Sequence, residues 1–375
     1  MAVRDATGST LSASDGTWLL RAAGLAERGW GWVHPNPMVG CVLVKDGKPV
    51  GEGSHREYGG AHAEVEAVTA AGKDARGATA YISLEPCNHH GKTPPCTELL
   101  LDAGVVRVVF GALDSGLKGG GGAQRLAKAG MEVAGPSDDP RLSTKVDPVY
   151  FHTIQHSGSY VVVKLAESRD YGIAARPGER TFLTGRAATR EVHRLRMGFD
   201  GILIGGLTAR VDDPRLTLRE GFQARVPPTR IVLDPGAELS TDARLFQTID
   251  EAPLIIVVTP TAPRERVRFL EEAGAKVEVV PASPPGLDLQ ETLTRCWSIG
   301  LRSIFCEGGG RLARALVDAD LVQRLYLLRT PHVLGPQCVP GLSNVLEEGR
   351  ISDWSVVGEP RQFGNDVLVT YDREE

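Results

Sequence analysis

No run of apolar residues in this 375-residue chain approaches the length of a bilayer span. The opening stretch, MAVRDATGSTLSASDGTW, has no apolar core of the kind a signal peptide needs. Cysteine is scarce: six residues are too few for a disulfide scaffold, which points to a reduced, cytoplasmic setting. Basic residues are not in excess either. The net charge of −5 leaves no electrostatic footprint for nucleic acid, and no stripe interleaves basic and aromatic side chains. No internal repeat is apparent. What remains is the composition of a globular protein, 42% hydrophobic and 24% charged, long enough for two domains.

The most informative feature is a short constellation. His62, Ala63 and Glu64 are followed, after a predicted strand ATAYISL, by Pro86-Cys87 and then by Cys96. One histidine and two cysteines hold a zinc ion with a coordination position left open, whereas structural zinc sites use four protein ligands. A glutamate two residues from the histidine can move protons at such a site. The order matches the H-x-E…P-C-x-x-C pattern of zinc deaminases, except that nine positions separate the two cysteines. Residues 62–71, HAEVEAVTAA, have high helix propensity and place His62 and Glu64 in a first turn, with Val65 and Val68 facing the core. Cys96 opens a second helix, CTELLLDAG, where a thiol pKa is expected to fall.

Along the chain, residues 1–14 read as a loose tail, and Ser14 or Asp15 can cap a helix through LLRAAGLAERG. VGCVLVKDGKPVGEG reads as a hairpin turning at Asp46-Gly47. Strands VRVVFGAL and MEVAG alternate with helices up to a polar, proline-bearing stretch near 148–158. The expected domains are therefore 15–150 and 151–375, both α/β. In the second, strands are expected at YVVVKLA, FDGILIGG, TRIVLD, LIIVVT, KVEVV, SIFCEGG and LVQRLYLLR. Helices are expected at 186–197, 263–274 and 288–299. RLYLLR and DVLVTYD have no clear helix between them, so an antiparallel edge is expected. Glu307-Gly308-Gly309-Gly310-Arg311, between a strand and a helix, suits a pyrophosphate. Gly205-Gly206 is a similar turn. Gly119 to Gly122 read as a flexible loop rather than a phosphate cradle.

Three segments carry a family resemblance: His34-Pro35-Asn36-Pro37-Met38-Val39-Gly40, His62-Ala63-Glu64 and the run EPCNHHGKTPPC (85–96). They resemble the bifunctional riboflavin-biosynthesis deaminase/reductases, and DDPRLTLR (212–219), RIVLD (230–234) and CEGGGRLARALVDADLV (306–322) extend the resemblance to the second half. It implies a cytidine-deaminase-like α/β/α sandwich followed by a dihydrofolate-reductase-like α/β domain. It also implies one zinc per chain on His62, Cys87 and Cys96, with Glu64 catalytic. The substrate would be a phosphorylated diaminopyrimidinone, deaminated first and then reduced with NADPH at its ribosyl chain. The protein would be a homo-oligomer.

The same resemblance assigns substrate contacts to Asn36, His55, His89, Lys92, Arg180, Arg196, Leu216, Arg219 and Glu307. It assigns cofactor contacts to Lys164, Ala166, Phe182, Thr208, Asp212, Pro235, Gly309, Gly310 and Arg311. Bland readings stand beside several of these. Asn36 suits an Asx-turn. His89 and Lys92 suit solvated surface charge. Thr208 and Asp212 suit a helix cap and a turn.

The second half also departs from the family pattern. Lys164-Leu-Ala-Glu-Ser168-Arg169-Asp170-Tyr171-Gly172 replaces K-x-x-x-S-L-D-G. Arg180 stands where a small hydroxyl is usual, Phe182 replaces a tryptophan, and Gln323-Arg324 replaces an acidic pair. Two rival readings follow. In one, the second domain binds cofactor but does not reduce. In the other, less favoured by the charge, the chain edits nucleic acid.

Overall fold

The computed structural model describes residues 11–90, 94–116, 120–142, 146–284, 286–343 and 353–374. The chain divides into two compact units, Met1–His156 and Ser157–Glu375. The helix Pro148–Gln155 runs through the expected boundary at 150/151, so the first unit keeps it whole.

In the first unit, α1 (Ala13–Ala26) precedes a hairpin of β1 (Gly40–Lys45) and β2 (Lys48–Ser54). The turn is the expected one: Asp46 and Gly47 both have positive φ, 52° and 71°, as a two-residue hairpin turn requires. Then come α2 (Ala63–Ala71), β3 (Thr79–Leu84), α3 (Cys96–Asp102), β4 (Arg107–Ala112), α4 (Gly122–Lys128), β5 (Glu132–Ala134) and α5 (Pro148–Gln155). The five-stranded sheet has the order β2-β1-β3-β4-β5. β1 is antiparallel to both neighbours, while β3, β4 and β5 run parallel. Apolar clusters cover both faces: α1 packs on one through Leu19 and Ala22, and α2, α3 and α4 on the other through Ala67, Leu100 and Leu126.

Two local expectations are corrected. α1 is capped by Ser12, not Ser14 or Asp15. Asp15 is the third helical residue and closes a capping box back to Ser12, so the loose tail does not extend to residue 14. Asp15 also takes two bonds from Arg107 and one from Tyr81, which outweigh burial and hold its carboxyl well below the usual range. In α2 the buried face is Ala63, Ala67 and Ala71; Val68 packs against the same cluster as expected but only partly buried, and Val65 is not part of it. A Cβ at Gly51 or Gly53 of β2 would collide with the carbonyls of Ala67 and Ala63. The helix lies so close to the hairpin that only small residues fit.

The second unit contains β6 (Tyr160–Glu167), β7 (Gly172–Ala174), α6 (Arg186–Arg196), β8 (Gly201–Gly205), α7 (Gly206–Asp212), β9 (Thr229–Leu233), α8 (Arg244–Gln247) and β10 (Leu254–Val258). It continues with α9 (Arg264–Glu272), β11 (Lys276–Val279), β12 (Ala282–Ser283), β13 (Gly286–Leu287), α10 (Leu289–Ser298), β14 (Ser303–Cys306) and α11 (Gly310–Asp318). It closes with β15 (Arg324–Arg329), β16 (Val339–Pro340), β17 (Trp354–Val356), β18 (Arg361–Phe363) and β19 (Asp366–Arg373). The main sheet runs β11-β10-β9-β8-β14-β6-β15-β19-β17, with β18 also on β19. From β11 to β15 every pairing is parallel; β15 and β19 are antiparallel, as expected, with Arg324 opposite Asp372. Both faces of the parallel strands are covered. Leu203, Leu233 and Val257 face a cluster with α10 and α11, and Ile202, Val232 and Ile256 face one with Leu245 and Leu270. That is why these strands read as unbroken apolar runs.

Candidate active sites

His62 is the N-cap of α2, with extended backbone (φ −72°, ψ 158°), and so stands just before the first turn rather than within it. Cys87 follows the C-terminal end of β3, and Cys96 is the first residue of α3. His62 Nδ1 lies 3.6 Å from Cys87 Sγ and 3.3 Å from Cys96 Sγ. One ligand atom from each of the three residues falls within 4.8 Å of the others, and no fourth residue joins the group among the described residues. This donor set fits zinc with an open position. The two thiols share one hydrogen bond and titrate as a pair. The thiol hydrogen bond with Cys96, then His62 and the Cys96 N–H, bring Cys87 down to about 4. That shared bond and burial push Cys96 up.

Glu64, one turn-position into α2, is buried beside this group. Burial first, then the charge of Cys87, raises its pKa, as suits a group that both takes and gives protons. His55 and Asn36 come to the same place. The His55 ring meets His62 edge-on at 5.5 Å. His55 Nδ1 is 2.9 Å from the Ala61 carbonyl and must donate to it, so Nε2 accepts from the Asn36 amide at 3.2 Å. His89 is exposed between the two cysteines, and Lys92 lies outside the described residues. In the described part of the glycine run Gly120 and Gly121 are exposed, and only Gly122 is packed. Gly121 caps α4 with φ 89°, and Gly122 abuts the Pro86 carbonyl so closely that a side chain is excluded. Gly119 is outside the described residues.

In the second unit the site follows from the sheet order. Four adjacent parallel strands, β9, β8, β14 and β6, bring their C-terminal ends into a row. Pro235 follows β9, Gly206 and Thr208 follow β8, Glu307 to Gly310 follow β14, and Lys164 and Ala166 share one face of β6. Such strand ends are where open parallel sheets bind ligands. Arg180, Arg196, Thr208, Asp212, Leu216, Arg219 and Glu307 line one cleft.

Arg196 grips the Glu307 carboxylate with two bonds, 2.5 and 3.1 Å, and Lys164 stands 3.8 Å away. Burial would push Glu307 up, but Arg196 and Lys164 overcome it and hold it low. Burial lowers Lys164, which Glu307 opposes. Gly309 caps α11, and its N–H donates to Thr208 Oγ1 at 3.2 Å. The N–H groups of this turn fit a pyrophosphate. Arg180 donates to the Asp212 carbonyl at 2.9 Å and lies over the Phe182 ring at 4.5 Å. Gly310 is pressed against the Pro340 carbonyl, and Arg311 is exposed in the first turn of α11.

Sequence reading missed Arg215, Arg244 and Asp213 on the cleft wall, and His193 beneath it. His193 is buried one turn before Arg196 on the same helix, a spacing that could have flagged it. The unusual residues elsewhere have structural work. Arg324 pairs with Asp372 at 2.6 Å across the β15–β19 ladder, and the Gln323 side chain accepts the Val161 N–H at 2.7 Å. Tyr171 takes φ 64° in a turn where Asp170 accepts the Leu334 and Gly335 N–H groups.

A deaminase-type metal-ligand group in one unit and a nucleotide-type cleft in the other define a bifunctional α/β enzyme. The cytidine and deoxycytidylate deaminase zinc-binding region matches residues 13–112, and the RibD C-terminal domain matches residues 159–354. Riboflavin biosynthesis protein RibD of Escherichia coli (strain K12) is 36% identical over 374 residues, 95% of this chain and 98% of that one. The Actinobacillus pleuropneumoniae protein of the same name is 36% identical over 326 residues, covering 86% and 85%. Among solved structures, Acinetobacter baumannii RibD (form 1) superposes with a TM-score of 0.77 at 29% identity, covering 96% of this chain and 99% of that one. A diaminohydroxyphosphoribosylaminopyrimidine deaminase/5-amino-6-(5-phosphoribosylamino)uracil reductase of Thermotoga maritima gives 0.77 at 28% identity, with the same coverage.

The chain belongs to the RibD family of riboflavin biosynthesis, whose members join a zinc-binding deaminase domain to a dihydrofolate-reductase-like reductase domain.

Proposed function

We propose that the first unit hydrolyses the 2-amino group of a diaminopyrimidinone carrying a ribosylamino 5'-phosphate, and that the second reduces the ribosyl chain of the product to ribityl. The convergence of His62, Cys87 and Cys96 within 4.8 Å, beside the buried carboxyl of Glu64, carries the first step. One zinc per chain would sit on these three residues and, when bound, polarise water for attack on the ring carbon. Glu64 takes a proton and delivers it to the departing ammonia. Asn36, its amide fixed by His55, meets the edge of the heterocycle, and His89 and Lys92 meet the phosphate.

In the second unit NADPH, when bound, supplies hydride to C1' of the opened sugar. The chain's own residues place the reactants. The Gly309–Gly310 turn, Thr208 and Arg311 hold the cofactor phosphates, with Lys164, Ala166, Asp212, Pro235 and Phe182 as further contacts. Arg196 and Arg219 take the substrate phosphate with Arg180, and Leu216 and Glu307 complete the pocket. We assign the deaminase to residues 12–156 and the reductase to 157–375, and place the protein in the cytoplasm as a homo-oligomer. No described helix is long and apolar enough to cross a membrane.

The test is product mass after incubation with the diaminopyrimidine, with and without NADPH, alongside metal analysis. The expected result is a deaminated product without NADPH and a deaminated, reduced one with it. Deamination alone under both conditions would leave the second unit a binding domain. Metal content well below one zinc per chain would remove the proposed stoichiometry. Light scattering and cell fractionation test assembly and location.

A further inference from the structure

Helix α5 takes no part in the chemistry above, yet its N-terminus is tied to both segments that lead to the metal-ligand group. Asp147, its N-cap, is 2% exposed. One carboxylate oxygen accepts the Met38 N–H at 2.8 Å, and the other accepts the Tyr150 N–H at 3.2 Å. Met38 is two residues from Asn36, which donates to His55, whose ring meets His62. The second tie starts at Tyr150, whose O–H donates to Asp114 Oδ1 at 2.8 Å. Asp114 donates its N–H to Glu85 at 3.3 Å, and Glu85 also takes the Ala123 N–H at 2.9 Å. Glu85 stands two residues before Cys87.

The choice of residue is informative. A buried carboxylate is costly compared with an amide. What it offers over asparagine is two acceptor oxygens in place of one. Both are used here, one on the Asn36 segment and one on the helix that carries Tyr150. The Tyr150 ring is already seated against Phe151, with Leu84 and Ala112 in the same apolar cluster, so its hydroxyl is not needed to bury it.

We propose that Asp147 and Tyr150 are positioning residues of the deaminase pocket. They fix the Asn36 segment relative to the Glu85–Cys87 segment, and so set the fit of a planar heterocycle above the metal-ligand group. This rests on the deaminase reading of that group.

The test uses the full-length, zinc-loaded protein. Tyr150→Phe should raise KM for the diaminopyrimidine about three- to tenfold, the size of one lost hydrogen bond, with kcat nearly unchanged. Zinc content and the NADPH-dependent step should not move. Asp147→Asn should raise KM further. Combined with Asn36→Ala, it should add nothing to the KM of Asn36→Ala alone, because it acts through Asn36. A merely structural role would instead give additive losses. A second readout needs no turnover: the ring 15N resonance of His55 Nε2 should shift in Asp147→Asn as the Asn36 contact loosens. If wild-type protein releases no ammonia, the deaminase reading fails and this resonance still decides the positioning claim. If Asp147→Asn does not fold, Tyr150→Phe decides through KM. Unchanged KM in Tyr150→Phe, or an unmoved His55 resonance in folded Asp147→Asn, would overturn the proposal.

Discussion

The two candidate sites are built from different materials. The metal-ligand group comes from one short stretch of chain, between His62 and Cys96, and draws on the few residue types that bind zinc. The reductase cleft gathers side chains and backbone N–H groups from Lys164 to Arg311, set in a row by four parallel strands. A metal dictates residue types. An anion accepts any well-aimed N–H or guanidinium. This is how an arginine, Arg180, can stand on the wall of the second site, whereas Tyr171 and Gln323-Arg324 lie outside that cleft and serve the fold.

The histidines repeat the contrast. His62 is pushed up, first by its bond with Cys87. His193 is pulled down to about 4, first by burial and then by Arg196 and Arg219.

The sharpest way to break the comparison is Glu64→Gln. Deamination should fall by about 10²–10⁴, the usual worth of a general acid–base group, while zinc content and NADPH-dependent reduction persist. A variant within a few-fold of wild type would show that the proton travels by another route and that this site, too, has interchangeable parts.

Acidification comes next. Between pH 6.5 and about 4 an unfolded chain binds a proton that folded His193 refuses. Stability therefore falls as the pH drops through that window, by at most about 3 kcal/mol. His193→Gln should flatten this acid limb in calorimetric unfolding of the full chain. An unaltered limb would mean that the cations of the cleft do not govern this ring.

The smallest effect is expected at the turn before α11. A Cβ on Gly309 would meet nothing closer than Thr208 Oγ1 at 3.5 Å, so Gly309→Ala should bind NADPH almost as wild type. Gly309→Asp places a negative charge at a helix N-terminus and should weaken binding about tenfold. Equal affinities in a fluorescence titration would move the pyrophosphate away from this turn.

Much of this was legible in the residues. Asp46-Gly47 announced its hairpin, because two successive positive-φ positions suit few other pairs. The apolar runs announced strands covered on both faces. The pairing of RLYLLR with DVLVTYD followed from the absence of a crossover helix. Local competition was harder to read. Val65 and Val68 looked like the core face of α2; Val68 does pack against the core, but a hairpin at glycine distance puts Ala63 and Ala67 at its centre. Ser12 took the cap because Asp15 was better used three residues on, facing Arg107.

By itself the sequence picked out His62, Cys87 and Cys96 as candidate metal donors with Glu64 beside them, and it determined the alternation of strands and helices. These depend on residue type and short spacing, which a linear chain displays directly. Only the tertiary structure decided which strand ends stand side by side. It alone brought Arg196 onto Glu307 and seated His193 among cations. It also joined Asp147 to Met38, 109 residues away, through a single buried carboxylate. Such contacts are set by sheet order and burial, and no local pattern records them.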